Sequence, residues 1–270
     1  MTSAADPWEG AGQRVLVTGG SSGIGASVAV AFARAGATVG ICARRHDQLG
    51  AVLDQCRHWS PESRMWSVDL SRLDELSAFA AQADVELGGI DVLVNNAGIP
   101  KRRLATSLEA GDVEDVMATN FFSPVRLTLA LLPGMLQRGH GHVVNVSSMG
   151  AHSAAYRIGA YAASKAALEL FTESLYVELG GTGVVAHLFV PGSTRTEFST
   201  PKPGNDAPFP QDPSAFADPD DVATALLGCL ADPRFVTFAS EREEATATKK
   251  AADPNGWLAA MRQRFSPPST

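Results

Sequence analysis

The sequence predicts an α/β fold, a doubly wound parallel sheet of seven strands with helices on both faces, in a single domain. Three observations predict it. Short apolar runs alternate with helical stretches along almost the whole chain, the pattern of repeated β-α-β units. The first run breaks into a glycine turn that opens a helix. A length of 270 residues suits one large α/β domain.

Composition narrows the function classes. The chain is 45% hydrophobic, ordinary for a protein with a full core. A net charge of −7 and a pI near 5.4 argue against nucleic acid as the main partner, because phosphate binding favours a basic face. Cys42, Cys56 and Cys229 are widely spaced and without metal-ligand spacing, so they read as reduced, buried thiols of a cytoplasmic protein with no metal. Residues 1–12 lack the basic start and apolar run of a signal peptide and read as a flexible tail. No apolar stretch is long enough to span a membrane.

The first strand is Arg14 to Val17 (RVLV), which runs into Thr18-Gly19-Gly20-Ser21-Ser22-Gly23-Ile24-Gly25. A helical stretch, ASVAVAFARAGA, follows, and then a second strand, ATVGICA. This is one right-handed β-α-β unit. Its glycines let backbone approach a pyrophosphate at the helix N-terminus, where free amides and the helix dipole favour an anion. Glycines 19, 23 and 25 do not keep the general GxGxxG spacing, so the turn alone is also compatible with a purely structural bend.

The second strand ends at Ala43, followed by Arg44 and Arg45, with no carboxylate before Asp47. A site selective for NAD places an acidic side chain here for the ribose 2′-hydroxyl, whereas an arginine accommodates the 2′-phosphate of NADP. NADP(H) is therefore the preferred cofactor and NAD(H) the alternative; solvated surface arginines are the competing reading.

A helix through Gln48 to His58 leads to a third strand, Arg64 to Val68, which closes on Asp69-Leu70-Ser71. Asp69 or Ser71 can cap the next helix. The fourth strand, Ile90 to Val94, is wholly apolar apart from Asp91 and suits the sheet centre. It delivers Asn95-Asn96-Ala97-Gly98 to the carboxyl edge, where ligands bind in open α/β sheets. Lys101-Arg102-Arg103 follows, either a solvated basic loop or an attractor for an anionic substrate.

The segment from Glu109 to Arg138 reads as helical, with Pro124 one turn beyond Asn120 predicting an irregular turn there. Strand five, His142 to Val146, brings Ser147 and Ser148 to the same edge, and strand six, Val184 to Val190, brings Pro191 and Gly192. The loop from Ser193 to Ala217, rich in proline, reads as a substrate lid. Asp218-Pro219 starts a further helix, and Arg234 to Phe238 is the seventh strand. The core domain thus covers 13–240, and 241–270 is an extension with one short helix. His142, His152 and His187 show no carboxylate pattern and read as structural or solvated.

Tyr161 and Lys165 lie four apart in a helical stretch and so share a face. A fixed ammonium favours the phenolate: one charge at about 4 Å in an effective dielectric of about 20 supplies roughly 4 kcal/mol. That is enough to lower a phenol by ~2 to 3 units, toward the range where proton transfer at neutral pH is efficient.

Together these motifs resemble the short-chain dehydrogenase/reductase family over about Arg14 to Phe238. The residues that carry the likeness are TGGSSGIG at 18–25, NNAG at 95–98, Asn120, Ser148, YAASK at 161–165 and PGSTRT at 191–196. The resemblance implies a Rossmann-like sheet and a catalytic tetrad of Asn120, Ser148, Tyr161 and Lys165. Tyr161 would exchange the proton, Ser148 would hydrogen-bond the reacting oxygen, Lys165 would hold the nicotinamide ribose, and Asn120 would anchor a water. It further implies a nucleotide lying along Gly19, Ser21, Ser22, Gly23, Ile24, Gly25, Arg44, Arg45, Asp69, Leu70, Asn96, Ala97 and Gly98. Tyr161, Lys165, Pro191, Gly192, Thr194 and Thr196 would complete that surface.

Ser147 is the alternative serine, and its own expected contact is the sheet or neighbouring backbone. Met149, Tyr156 and Phe198 are candidates for the substrate pocket, with core packing the rival reading for the first two. The family pairs subunits through the helices at 109–138 and 160–180, so a homodimer or homotetramer is expected. The implied function is interconversion of a ketone and a secondary alcohol on a small-molecule substrate. An NAD-preferring alcohol or steroid dehydrogenase is the nearest alternative, and a catalytically silent nucleotide-binding scaffold is the alternative from another class.

Overall fold

Successive residues of a strand point to opposite faces of the sheet, and the first strand, β1 (Arg14–Thr18), shows the result. Val15 and Val17 enter one apolar cluster and Leu16 the other, all fully buried. The computed structural model describes residues 8–153, 156–201, 203–206 and 215–265. Residues 1–7 of the predicted tail lie outside the described residues, as do 207–214 of the predicted lid, with Pro208, Pro210 and Pro213.

The remaining strands are β2 (Thr38–Ala43), β3 (Arg64–Ser67), β4 (Val92–Asn95), β5 (Gly141–Val146), β6 (Val184–Val190) and β7 (Val236–Phe238). They form one parallel sheet in the order β3-β2-β1-β4-β5-β6-β7. This is the predicted Rossmann-like architecture. Strand order reverses at β1, which lies between β2 and β4, so a crevice opens at its carboxyl end.

On one face pack α1 (Gly23–Arg34), α2 (His46–Trp59) and the helix Pro219–Cys229, through Phe32, Leu49 and Leu226. On the other pack α3 (Leu76–Leu87) and the helices Ser123–Arg138 and Gly159–Glu178, through Phe79, Leu127, Met135 and Leu175. No described helix is long and apolar enough to cross a membrane.

The long helical segment is divided as Pro124 suggests. Helix α4 (Ala110–Met117) passes through a π turn (Ala118–Phe122) into α5 (Ser123–Arg138), whose first turn contains Pro124. A π turn places one extra residue in the helix, and Asn120 occupies it, fully buried. Beyond β5 come the short α6 (Met149–Ser153), α7 (Gly159–Glu178) and α8 (Pro219–Cys229).

Element boundaries differ from the prediction by one or two residues at β3, β4 and β7, and the extension holds an extra helix. β7 starts at Val236, because Arg234 turns back and its backbone N–H donates to Asp232 Oδ1 at 2.9 Å. The extension forms two helices, α9 (Glu241–Ala252) and α10 (Pro254–Phe265), where the sequence predicts one. The charged run EREEATATKKAA is itself a good helix, with acids in its first turn and lysines in its last, each complementing the helix dipole.

Candidate active site

The glycine turn and the β4 loop are stitched together by one side chain. Thr18 Oγ1 accepts the backbone N–H groups of Asn96 and Ala97 at 3.0 and 3.1 Å. Asn96 Nδ2 donates in return to the Thr18 carbonyl at 2.9 Å. The fit depends on missing side chains: Gly19 has φ +71°, and a β-carbon on Gly25 would run into Asn96 and the Gly19 carbonyl. Ser22, which caps α1, makes no side-chain hydrogen bond to its amides, so the helix start faces the crevice uncapped by its own serine.

This crevice continues into a cleft of about 1130 Å³. Every residue that the family resemblance assigns to a nucleotide lines it, from Gly19 through Asn96 to Thr196. At the β2 end, Arg45 Nη2 donates to Ser21 and Ser22 Oγ at 3.1 and 2.6 Å, and Arg45 Nη1 pairs with Glu197 Oε2 at 2.6 Å. Arg44 is exposed beside them. Asp69 Oδ1 accepts the Ser71 N–H and hydroxyl, the capping-type turn. Burial raises its carboxyl, but these bonds together with Arg44 and Arg72 hold it below the usual range.

Ser148, Tyr161 and Lys165 meet in the same cleft. Ser148 Oγ and the Tyr161 ring flank Gly150, and Ser148 Oγ accepts the Gly150 N–H at 3.0 Å. The predicted charge relation, however, is different. Burial pushes the Tyr161 phenol up to about 12, opposed by the neighbouring Ser148 hydroxyl. Lys165, also buried, donates to the Val146 carbonyl at 2.7 Å, and desolvation draws it down to about 8. A phenolate in this pocket loses more by leaving water than it gains from the lysine.

Asn120 stands behind this group, and the neighbouring Thr119 lines the cleft. Its Oδ1 accepts the Ile99 N–H at 2.8 Å, and its Nδ2 donates to the Ile99 carbonyl and Ser164 Oγ, both at 3.1 Å. Both side-chain N–H donors and one lone pair of Oδ1 thus go to protein. A β-carbon on Gly98 would sit 3.3 Å from Asn120 Oδ1 and 3.7 Å from Lys165 Nζ, so the π turn supports the NNAG loop directly beside the lysine.

Several predictions are corrected. Ser147 Oγ donates to the Glu169 carboxylate, not to backbone or sheet. Lys101, Arg102 and Arg103 are not a solvated loop. Lys101 and Arg103 pair with Asp112. Arg102, only 6% exposed, donates to the Thr200 and Phe198 carbonyls at 2.9 and 3.3 Å and so anchors the lid. Met149 and Phe198 line the cleft, with the Phe198 ring 5.4 Å from that of Tyr161. Tyr156 does not: its ring stacks on Phe265 of α10 at 5.0 Å. His142 and His187 share a 2.9 Å hydrogen bond, and burial lowers both, His187 to about 4, so they form a neutral structural pair. His152 Nε2 does have a carboxylate, Glu169, at 3.0 Å. The three cysteines are free and buried.

The extension reaches the wall of the cleft. Lys250 Nζ of α9 and Trp257 Nε1 of α10 donate to the Ala151 and Ser153 carbonyls at 3.3 and 3.0 Å. These are end carbonyls of α6, which lack intrahelical partners. Since Met149, Gly150 and Ser153 line the cleft, the extension braces its wall.

Sheet order, the crevice at β1 and the cleft along the carboxyl edge define an open α/β protein with its site at the topological switch point. The sequence profile of the short chain dehydrogenase family matches residues 13–206, and the chain belongs to that family. A short chain dehydrogenase of Pseudocercospora fijiensis is 40% identical over 194 residues, 70% of this chain and 62% of its own. This chain therefore spans less than two thirds of that relative. A Sphingobium yanoikuyae short-chain dehydrogenase in complex with NADPH superposes with TM-score 0.78 at 27% identity, covering 95% of this chain and 99% of the other. A Burkholderia phymatum member in complex with NAD gives 0.82 at 24% identity over 97% and 100% of the two chains, a likeness of fold.

Proposed function

We propose that the protein is a cytoplasmic NADP(H)-dependent oxidoreductase that interconverts a ketone and a secondary alcohol, with Tyr161 as the acid and base. The observation that carries this is the meeting of Ser148, Tyr161 and Lys165 on the wall of one cleft that begins at the glycine turn, with Ser148 and Tyr161 packed around Gly150. The cleft fits a dinucleotide: its glycines leave room that side chains would fill, and the α1 amides face it. A bound nicotinamide supplies or accepts the hydride, which no side chain can do.

Tyr161 keeps its proton at neutral pH and can give it to a carbonyl oxygen as that carbonyl is reduced. Ser148 donates to the same oxygen and stabilises its developing charge. Lys165 would hold the ribose of a bound nucleotide and would favour the tyrosinate once the proton has left. Asn120 is a positioning residue that fixes Gly98 and Ile99 beside the lysine.

NADP is supported by Arg44 and Arg45 at the β2 end, with no acidic residue at 43–46, and by the NADPH complex of the Sphingobium relative. One observation favours the NAD reading: Glu197 pairs with Arg45 and offsets its charge. Initial rates with NADPH and NADH over a panel of ketones and aldehydes test the reading. Faster turnover with NADPH supports it; no turnover with either cofactor favours the scaffold reading. Assembly into a homodimer or homotetramer is proposed from exposed apolar side chains on α5 and α7, with Leu129 57% and Leu170 64% exposed.

A further inference from the structure

Glu169 is a shielded carboxylate that the proposed reaction leaves unused. It lies on α7 four residues after Lys165, so the two share a helix face. Its side chain is 13% exposed, its Oε1 accepts the Ser147 hydroxyl, and His152 Nε2 lies 3.0 Å away. Ser147 directly precedes Ser148 at the end of β5, and His152 belongs to α6, whose residues Met149 and Gly150 line the cleft. One carboxylate therefore joins the strand end, the cleft wall and the helix that carries Tyr161 and Lys165.

The charges on this face need one another. Lys165 is 3% exposed, and its hydrogen-bond partner is a neutral carbonyl, Val146. A buried ammonium without a counter-charge loses its proton readily. Titratable side chains on the neighbouring elements include Tyr161 on α7, His152 on α6 and, on α9, Lys250, whose ammonium is held at the Ala151 carbonyl, and Glu243, whose carboxylate lies against Gly192 of the cleft wall. Of the carboxylates here, Glu169 is the one on the same helix face as Lys165.

We propose that Glu169 is a positioning residue: its carboxylate supplies the counter-charge that keeps the buried Lys165 ammonium protonated, and it holds Ser147 so that Ser148 keeps its place beside Tyr161. The electrostatic balance agrees in direction, since burial draws Lys165 down and Glu169 opposes it. The consequence for turnover rests on the proposed reaction; the coupling of the two charges does not.

The test is an NMR titration of full-length, cofactor-free protein labelled with 13Cε-lysine. The chain has five lysines, and the Lys165→Arg variant identifies the Lys165 signal. The Lys165 midpoint is expected to fall by about one unit in Glu169→Gln. It falls by less in Glu169→Asp, which keeps the charge but draws it back. The alkaline limb of NADPH-dependent turnover moves to lower pH in step, because the ammonium is lost earlier. Wild-type midpoints in both variants overturn the proposal, and a uniform loss of rate at every pH reduces Glu169 to a packing residue. If Glu169→Gln does not fold, the Asp variant decides by the same criterion. A Lys165 midpoint that responds in a protein without reductase activity sinks the proposed function and leaves the coupling standing.

Discussion

Lys165 Nζ donates to the Val146 carbonyl at 2.7 Å, tying the middle of α7 to the last residue of β5. The buried cation is thereby held against the strand end that delivers Ser147 and Ser148, one helical turn from Tyr161. Burial sets the proton affinities on both sides, phenol up and amine down. Tyr161 and Lys165 thus start with their protons at neutral pH, the state that carbonyl reduction requires.

The end of β2 makes cofactor choice measurable. Replacing Arg44 and Arg45 together by alanine is expected to weaken NADPH binding by about tenfold or more, since hydrogen bonds to charged groups contribute ~1.5 to 3 kcal/mol each. NADH binding should change little. Fluorescence titration with both nucleotides checks this; an equal loss for both would remove the arginines from 2′-phosphate recognition.

Arg102 is expected to govern the lid. Its guanidinium spans the Phe198 and Thr200 carbonyls while its backbone carbonyl accepts the Asp206 N–H at 2.7 Å. Arg102→Ala removes these bonds to partly exposed carbonyls, each contributing about 0.5 to 1.5 kcal/mol. Limited proteolysis between residues 195 and 206 should accelerate severalfold while the core stays intact. Cleavage at the wild-type rate would show that the lid holds itself.

Stability should fall in alkali. Burial pushes Cys42, Cys56 and Cys229 up to about 12 from 9.0, so between those values the unfolded chain releases three protons that the folded chain keeps. Tyr161, raised to about 12 from 10.0, adds to the effect. Lys165, lowered from 10.5 to about 8, acts in the opposite sense between those values but is one group against four. Each displaced proton contributes a slope of about 1.4 kcal/mol per pH unit. Urea unfolding at pH 8 and pH 10 should show the loss, and Cys229→Ala should reduce it. A stability independent of pH over this interval would contradict the burial of the thiols.

The exposed apolar residues of α5 and α7 predict assembly. Light scattering should find dimers or tetramers for the wild type and monomers for Leu129→Glu combined with Leu170→Glu. A wild-type monomer would mean that these faces have another use.

What the sequence revealed followed from local pattern. Alternation in β1 and the apolar β4 determine which residues are inside, and the extra residue at Asn120 was foreshadowed by Pro124. The site's support was hidden because it is tertiary. Thr18 binding Asn96 joins residues 78 apart, and Arg102 meets the lid across 98. A basic triplet looks solvated until its partners are known. The proton affinity of Tyr161 is hidden for a related reason: four-residue spacing gives proximity to Lys165 but not the burial that outweighs it. The extension's grip on α6 came from a charged run and one tryptophan, neither of which encodes a partner.

The most direct test is the rate of NADPH-dependent ketone reduction by Tyr161→Phe, on a substrate that the wild type reduces. Loss of the phenolic proton is expected to lower kcat by about a hundredfold or more, with NADPH affinity and circular dichroism unchanged. A phenylalanine variant as fast as the wild type would place the proton donor elsewhere and contradict the proposed chemistry.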